Sequence, residues 1–139
     1  MHNDHCIFCK LASGEFASAT VYEDNLFRAI LDISPATKGH TLVIPKRHMA
    51  NLFELDGKEL EKALSVIQKI ATAVQKTMNC DGINVLQNNG IAAGQSVFHL
   101  HFHIIPRYDN DEIIIPWKQL SYAEGEADVL AGKIASSIN

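Results

Sequence analysis

Apolar residues at Leu60, Ala63, Leu64, Ile67, Ala71, Val74 and Met78 recur at three- and four-residue intervals, so the spacing predicts an amphipathic α-helix from Gly57 to Met78. Asp56, just before it, is a residue type that caps helix N-termini. Leu26 to Leu31 and Thr41 to Ile44 are short apolar or alternating runs separated by the turn cluster Ser34-Pro35-Ala36-Thr37-Lys38-Gly39, which predicts two neighbouring strands. Two more strands are expected at Ile83 to Gln87 and at Val97 to Ile105, the latter ending where Pro106 would stop ladder pairing. A shorter C-terminal helix is expected from Glu124 to Ser136. Strands, one long helix, then more strands point to an α+β domain with an antiparallel sheet covered by a helix on one face.

No repeat, low-complexity tract or linker interrupts the 139 residues, so a single domain over 1–139 is expected. No apolar run approaches the roughly 18 residues of a membrane span. Met1 to Lys10 has no apolar core of a signal peptide, so no membrane partner and a cytoplasmic address are expected. The net charge of -4 argues against a nucleic-acid partner, which calls for a basic stripe or patch. Any phosphate ligand must then be held locally.

In the expected strand, His99, His101 and His103 point one way while Leu100, Phe102 and Ile104 point the other. Aliphatic side chains would fill that first face more stably, because each buried imidazole needs a hydrogen-bond partner to offset desolvation. Three histidines at strict period two therefore indicate chemistry. They cannot share one metal ion, since residues four apart in a strand lie ~13 Å apart whereas zinc takes nitrogens at ~2.1 Å. Their roles must divide among metal ligand, nucleophile and acid or base. Just upstream, Gly90-Ile91-Ala92-Ala93-Gly94-Gln95-Ser96 is the kind of glycine-rich turn in which backbone N–H groups approach an anion.

Of three cysteines, Cys6 and Cys9 form a Cys-x-x-Cys pair, and Cys80 reads as an inert thiol. The pair supplies half of a tetrahedral metal site, a redox couple, or two incidental reduced thiols. A redox motif would follow a strand, and none is expected before Cys6. His2 and His5 read as residues of a loose terminus, with His5 placed to replace a metal ligand.

Asn88-Asn89-Gly90, followed by Ala93-Gly94-Gln95-Ser96-Val97-Phe98-His99-Leu100-His101-Phe102-His103-Ile104-Ile105-Pro106-Arg107, resembles the signature of the histidine triad (HIT) superfamily. Leu31-Asp32-Ile33-Ser34-Pro35 and the run from Lys38 to His48 resemble its earlier strands and turns, and only the tail after Arg107 is poor in likeness. The resemblance implies a HIT-like α+β fold with an antiparallel sheet of about five strands, one long helix and a shorter C-terminal helix, assembled as a homodimer.

It also implies a purine nucleotide substrate whose α-phosphate is attacked by the middle histidine, His101, giving a nucleotidyl-histidine that water hydrolyses. His103 would hydrogen-bond the phosphate or protonate the leaving group. Ser96 and the backbone of Gly94, Gln95 and Ser96 would stabilise the phosphoryl oxygens. By the same pattern Asp32 would bind the ribose, Ile33 the base and Asn88 the phosphate region, with His40 in support. The zinc-containing branch of the superfamily pairs such cysteines with histidines placed like His48 and His99, which implies a structural Zn2+ on Cys6, Cys9, His48 and His99.

The implied activity is that of a nucleotide hydrolase or nucleotidyl transferase, resembling a purine nucleoside phosphoramidase, that releases AMP or GMP from phosphoramidates or adenylates. Dinucleoside polyphosphate hydrolysis, a non-enzymatic nucleotide-binding regulator, and a catalytic zinc hydrolase with His99 and His101 as ligands are the competing readings.

Overall fold

The computed structural model describes residues 3–115 and 118–138; His2 lies outside them. In chain order they form α1 (Ile7–Ser13), β1 (Thr20–Glu23), β2 (Phe27–Leu31), β3 (Thr41–Pro45), α2 (Gly57–Met78), β4 (Gly82–Leu86), β5 (Phe102–Arg107) and α3 (Glu126–Ala135). The five strands make one antiparallel sheet in the order β1-β2-β3-β5-β4, so β5 lies inside the sheet between β3 and β4 although it is last in sequence. The expected α+β class stands. No helix of the described residues is long and apolar enough to cross a membrane.

Each strand divides its side chains between two faces with period two. Phe27, Ala29, Val43, Phe102 and Ile104 pack on one face against Ala63, Val66, Ile67, Ile70 and Val74 of α2. Ile30, Leu42 and Ile44 turn to the opposite face and meet Ala12, Phe8 and Leu11 of α1. The expectation of a sheet covered on one face thus needs correcting, because α1 escaped the sequence reading and supplies a second cover. Ile7, Phe8, Leu11 and Ala12 carry the spacing of an apolar helical stripe, but the run is only two turns long.

The long helix keeps its expected bounds, with two local differences. Leu60 and Leu64 lie on the flank of the buried stripe and stay exposed, while Val66 and Ile70 take the core positions. Asp56 occupies the N-cap position, but its carboxylate accepts from the Arg47 guanidinium and not from a helix N–H.

β5 also differs from its expected span. It begins at Phe102, since Val97, Phe98 and His99 bend and the Leu100 N–H is drawn to the Met49 carbonyl at 2.6 Å. At its other end Pro106 stays within the strand: it stands opposite Ile83, and its carbonyl accepts from the Thr37 hydroxyl at 2.8 Å.

Ile104, on β5 beside β3, is fully buried against α2. Replacing it with alanine is expected to cost about 2–5 kcal/mol, read as a lower urea midpoint at unchanged slope.

Candidate active site

Because β5 starts at Phe102, His101 stands one residue outside the ladder and is held by a different bond. Its Nδ1–H donates to the carbonyl oxygen of His99 at 2.7 Å. That carbonyl can only accept, so the ring proton sits on Nδ1 and the lone pair on Nε2. The ring borders a cavity of about 590 Å³ shared with Asp32, Ile33, Ser96 and His103, within the size range of small-ligand sites. Burial pushes the His101 pKa down, against the hydrogen bond to His99 and the charge of Asp32, which act to raise it. The imidazole is consequently neutral near pH 7, the form in which a nitrogen can attack.

A second chain of bonds sets the proton on His103. The Ala36 N–H donates to Nδ1 of His40 at 3.0 Å, which leaves the His40 proton on Nε2. That nitrogen lies 2.9 Å from Nδ1 of His103 and donates to it, so His103 carries its own proton on Nε2. Asp32 stands 3.7 Å from Nε2 of His40, and its other oxygen accepts the Ser34 N–H at 2.8 Å. Asp32, His40 and His103 lie close enough to suggest a cation site. A cation on Nε2 of His40 would push the proton onto Nδ1, where it would face the Ala36 N–H, so the trio is a hydrogen-bond relay.

Burial, with the neighbouring His101 and His40, pushes the His103 pKa down to about 4. His40 is likewise pushed down by burial, with Asp32 acting to raise it. At neutral pH His103 is therefore a neutral hydrogen-bond donor.

The glycine-rich loop is more committed than its composition suggests. The N–H of Gly94 donates to Ile91 at 2.9 Å and that of Gln95 to Gly90 at 3.1 Å. The Gln95 side chain is also engaged, accepting from the Gly90 N–H and donating to the Ala50 and Val97 carbonyls. The expected anion cradle narrows to Ser96, which borders the cavity. Asn88 packs beside Gly94, away from the cavity lining.

Ile33 is 98% exposed at the cavity rim. Ile7, Phe8 and Leu11 of α1 line the cavity too and were missed with their helix. Phe8 meets the His101 ring edge-on, with centroids 4.8 Å apart at 85°.

Cys6, Cys9, His48 and His99 converge, their ligand atoms lying within 4.8 Å of one another. Nδ1 of His99 is 3.5 Å from both sulfurs, and Nδ1 of His48 is 3.3 Å from the Cys9 sulfur. Zn–S of ~2.3 Å and Zn–N of ~2.0 Å at a tetrahedral angle place sulfur and nitrogen ~3.5 Å apart, so this donor set fits such an ion. The Nε2–H of His99 donates to the Pro45 carbonyl at 2.8 Å, which frees Nδ1 to face the sulfurs. Burial pushes the Cys9 thiol up, a penalty that a bound divalent cation reverses. His5 is exposed and outside the cluster, and His101 is not part of it. The Cys-x-x-Cys opens α1, with Cys6 at its N-cap position and no strand before it among the described residues.

A family model described as the HIT domain matches residues 13–110. The chain belongs to the HIT domain family. The crystal structure of a HIT family protein from Bacillus anthracis str. 'Ames Ancestor' matches it with a TM-score of 0.90 at 45% identity, covering 98% of this chain and 99% of that one. Adenosine 5'-monophosphoramidase hnt1 of Schizosaccharomyces pombe is 39% identical over 135 residues, 96% of this chain and 98% of that protein. A Zn-bound histidine triad family protein from Mycobacterium smegmatis matches with a TM-score of 0.73 at 37% identity, covering 95% of this chain and 94% of that one. The HIT fold, with its five-stranded antiparallel sheet, is therefore shared across these proteins.

In this HIT chain the depressed histidines tie stability to acidity. Between the ordinary histidine value of 6.5 and about 4, the unfolded chain takes up a proton that folded His103 refuses. Stability therefore rises with pH across that window and is lost as pH falls through it. The urea midpoint is expected to drop between about pH 6.5 and 4, and His103→Asn to flatten the slope; a wild-type slope in that variant would contradict the assignment.

Proposed function

We propose that this HIT chain hydrolyses purine nucleotide conjugates, phosphoramidates or adenylates, at the α-phosphate through a nucleotidyl intermediate on His101, releasing AMP or GMP. The observation that carries this reading is the Nδ1–H bond from His101 to the His99 carbonyl, which leaves a neutral Nε2 lone pair at the cavity. Nε2 attacks the phosphorus: a P–N bond forms, and the bond to the leaving group breaks with its electron pair departing on that group. The ring becomes cationic, and its Nδ1–H bond to the carbonyl strengthens. Water then attacks: a P–O bond forms, the P–N bond breaks with its electron pair returning to Nε2, the water's proton passes to solvent, and neutral His101 returns.

His103 donates its Nε2–H to a phosphoryl oxygen or the leaving atom. Its neutral ring acts as a hydrogen-bond donor that stabilises the charge developing there, and the leaving group takes its proton from water. Ser96 donates to the phosphoryl oxygens, Asp32 accepts from the ribose hydroxyls and His40 holds His103. Ile33 packs on the base, while Gly94, Gln95 and Asn88 serve by holding the shape of the phosphate loop. The adenosine monophosphoramidase name carried by the fission yeast relative supports this substrate class.

Zinc is the structural cofactor in this reading, held by Cys6, Cys9, His48 and His99 and joining α1 to the segment before β5. Its charge would keep the thiolates deprotonated. The Zn-bound relative supports the assignment. The three cysteines, all free, suit a reducing cytoplasm. The chain acts as one domain over 1–139 and as a homodimer; the edge strand β4 and the exposed Leu60, Leu64 and Phe53 suit a second copy.

His101→Ala is expected to lower kcat by at least about 10³-fold while AMP binding and fold persist. Wild-type protein quenched with substrate should carry one nucleotidyl group on His101 by mass spectrometry. Tight AMP binding with no adduct would favour a non-enzymatic regulator. Cys6→Ala is expected to lose bound zinc, measured by elemental analysis, and to melt more than about 5 °C lower.

A further inference from the structure

We propose that the Cys6–Cys9–His48–His99 cluster is a positioning device for His101, acting through the backbone of His99 and the ring of Phe8. This rests on the reading of His101 as the nucleophile.

The ladder does not hold His101. Pairing of β5 with β3 reaches back only to Phe102, and pairing with β4 only to His103. The ring is held instead by two groups that both belong to the cluster's own frame. One is the His99 carbonyl, which accepts the Nδ1–H of His101 at 2.7 Å. The other is Phe8, between the two cysteines in sequence, whose ring meets that of His101 at 4.8 Å and 85°.

His99 is fully buried and clamped on both ring nitrogens, by the Pro45 carbonyl at 2.8 Å and by the sulfurs of Cys6 and Cys9 at 3.5 Å. A residue clamped at its side chain has little freedom to swing its peptide plane, and the direction of its carbonyl decides which nitrogen of His101 carries the proton. Phe8 is fixed in the same way, because Cys6 and Cys9 bracket it at the start of α1. Opening the cluster therefore loosens both contacts at once, without removing any group that lines the cavity.

His48 is the residue through which to test this. It belongs to the cluster and touches Cys9 at 3.3 Å, it is half-buried, and it is absent from the cavity lining. In His48→Gln, and in wild-type protein stripped with a chelator, the ring nitrogens of His101 should lose the ¹⁵N signature of a single Nδ1–H tautomer, read at about pH 8 where the imidazole is neutral. Turnover should fall about ten- to a hundredfold in kcat, with KM within about threefold, as misplacement of a reacting group predicts. Re-adding zinc to the stripped protein should restore both.

Val66→Ala, in the core on the α2 face of the sheet and outside both the cluster and the cavity lining, supplies a control of lowered stability and should leave the tautomer and kcat unchanged. An intact tautomer signature in His48→Gln and stripped protein would overturn the proposal, as would a lost signature with wild-type kcat. If wild-type protein forms no adduct on His101, the hydrolase reading fails, and the tautomer measurement still decides whether the cluster positions the ring.

Discussion

The hydrogen bond from Nδ1–H of His101 to the carbonyl of His99, 2.7 Å long, is the constraint around which the site is arranged. An imidazole in water exchanges its proton between two nitrogens, and a lone pair that must face a cavity cannot be left to that exchange. A backbone carbonyl is a pure acceptor and resolves the choice. For it to serve, His99 must itself be immobile, and its burial, its bond to Pro45 and its place among the sulfurs make it so. The same logic runs through Ala36, His40 and His103, where a backbone N–H at one end fixes the proton at the other.

Such arrangements work against stability. His40, His99 and His101 are all buried, and each imidazole surrenders water for a small number of fixed partners. Among the described residues no buried side-chain nitrogen or oxygen lacks a partner, so the cost has been met by geometry. The core that tolerates it is on the other side of the sheet, where Phe27, Val43, Phe102 and Ile104 pack on α2. One face supplies cohesion, and the other carries the buried histidines under α1. The interior position of β5, between β3 and β4, lets a single strand border both.

Much of this was legible in the amino-acid order. The helical spacing marks Gly57 to Met78 to the residue, because a 22-residue stripe averages out local ambiguity. The period-two histidines single out the site, since apolar packing gives no reason for them. The cysteine pair and the HIT resemblance together name the four cluster residues. What failed was short or context-dependent. α1 has seven residues, too few for periodicity to speak, and with it went Ile7, Phe8 and Leu11. The strand through the histidines was drawn too long because extended sequence preference cannot register that Met49 captures the Leu100 N–H. Gln95, polar and loop-borne, turned inward to hold the loop.

The sequence by itself determined the class of fold and singled out the candidate site residues, because those follow from residue type and from periods of two and 3.6 along a chain. Only the tertiary structure decided protonation and partnership: that His101 bears its proton on Nδ1, that His103 is neutral, that His99 turns toward the sulfurs and away from the cavity. Those outcomes depend on a carbonyl, an N–H or a thiol arriving from elsewhere in the chain at about 3 Å, and hydrogen bonds of that reach are set by packing, which local sequence does not encode.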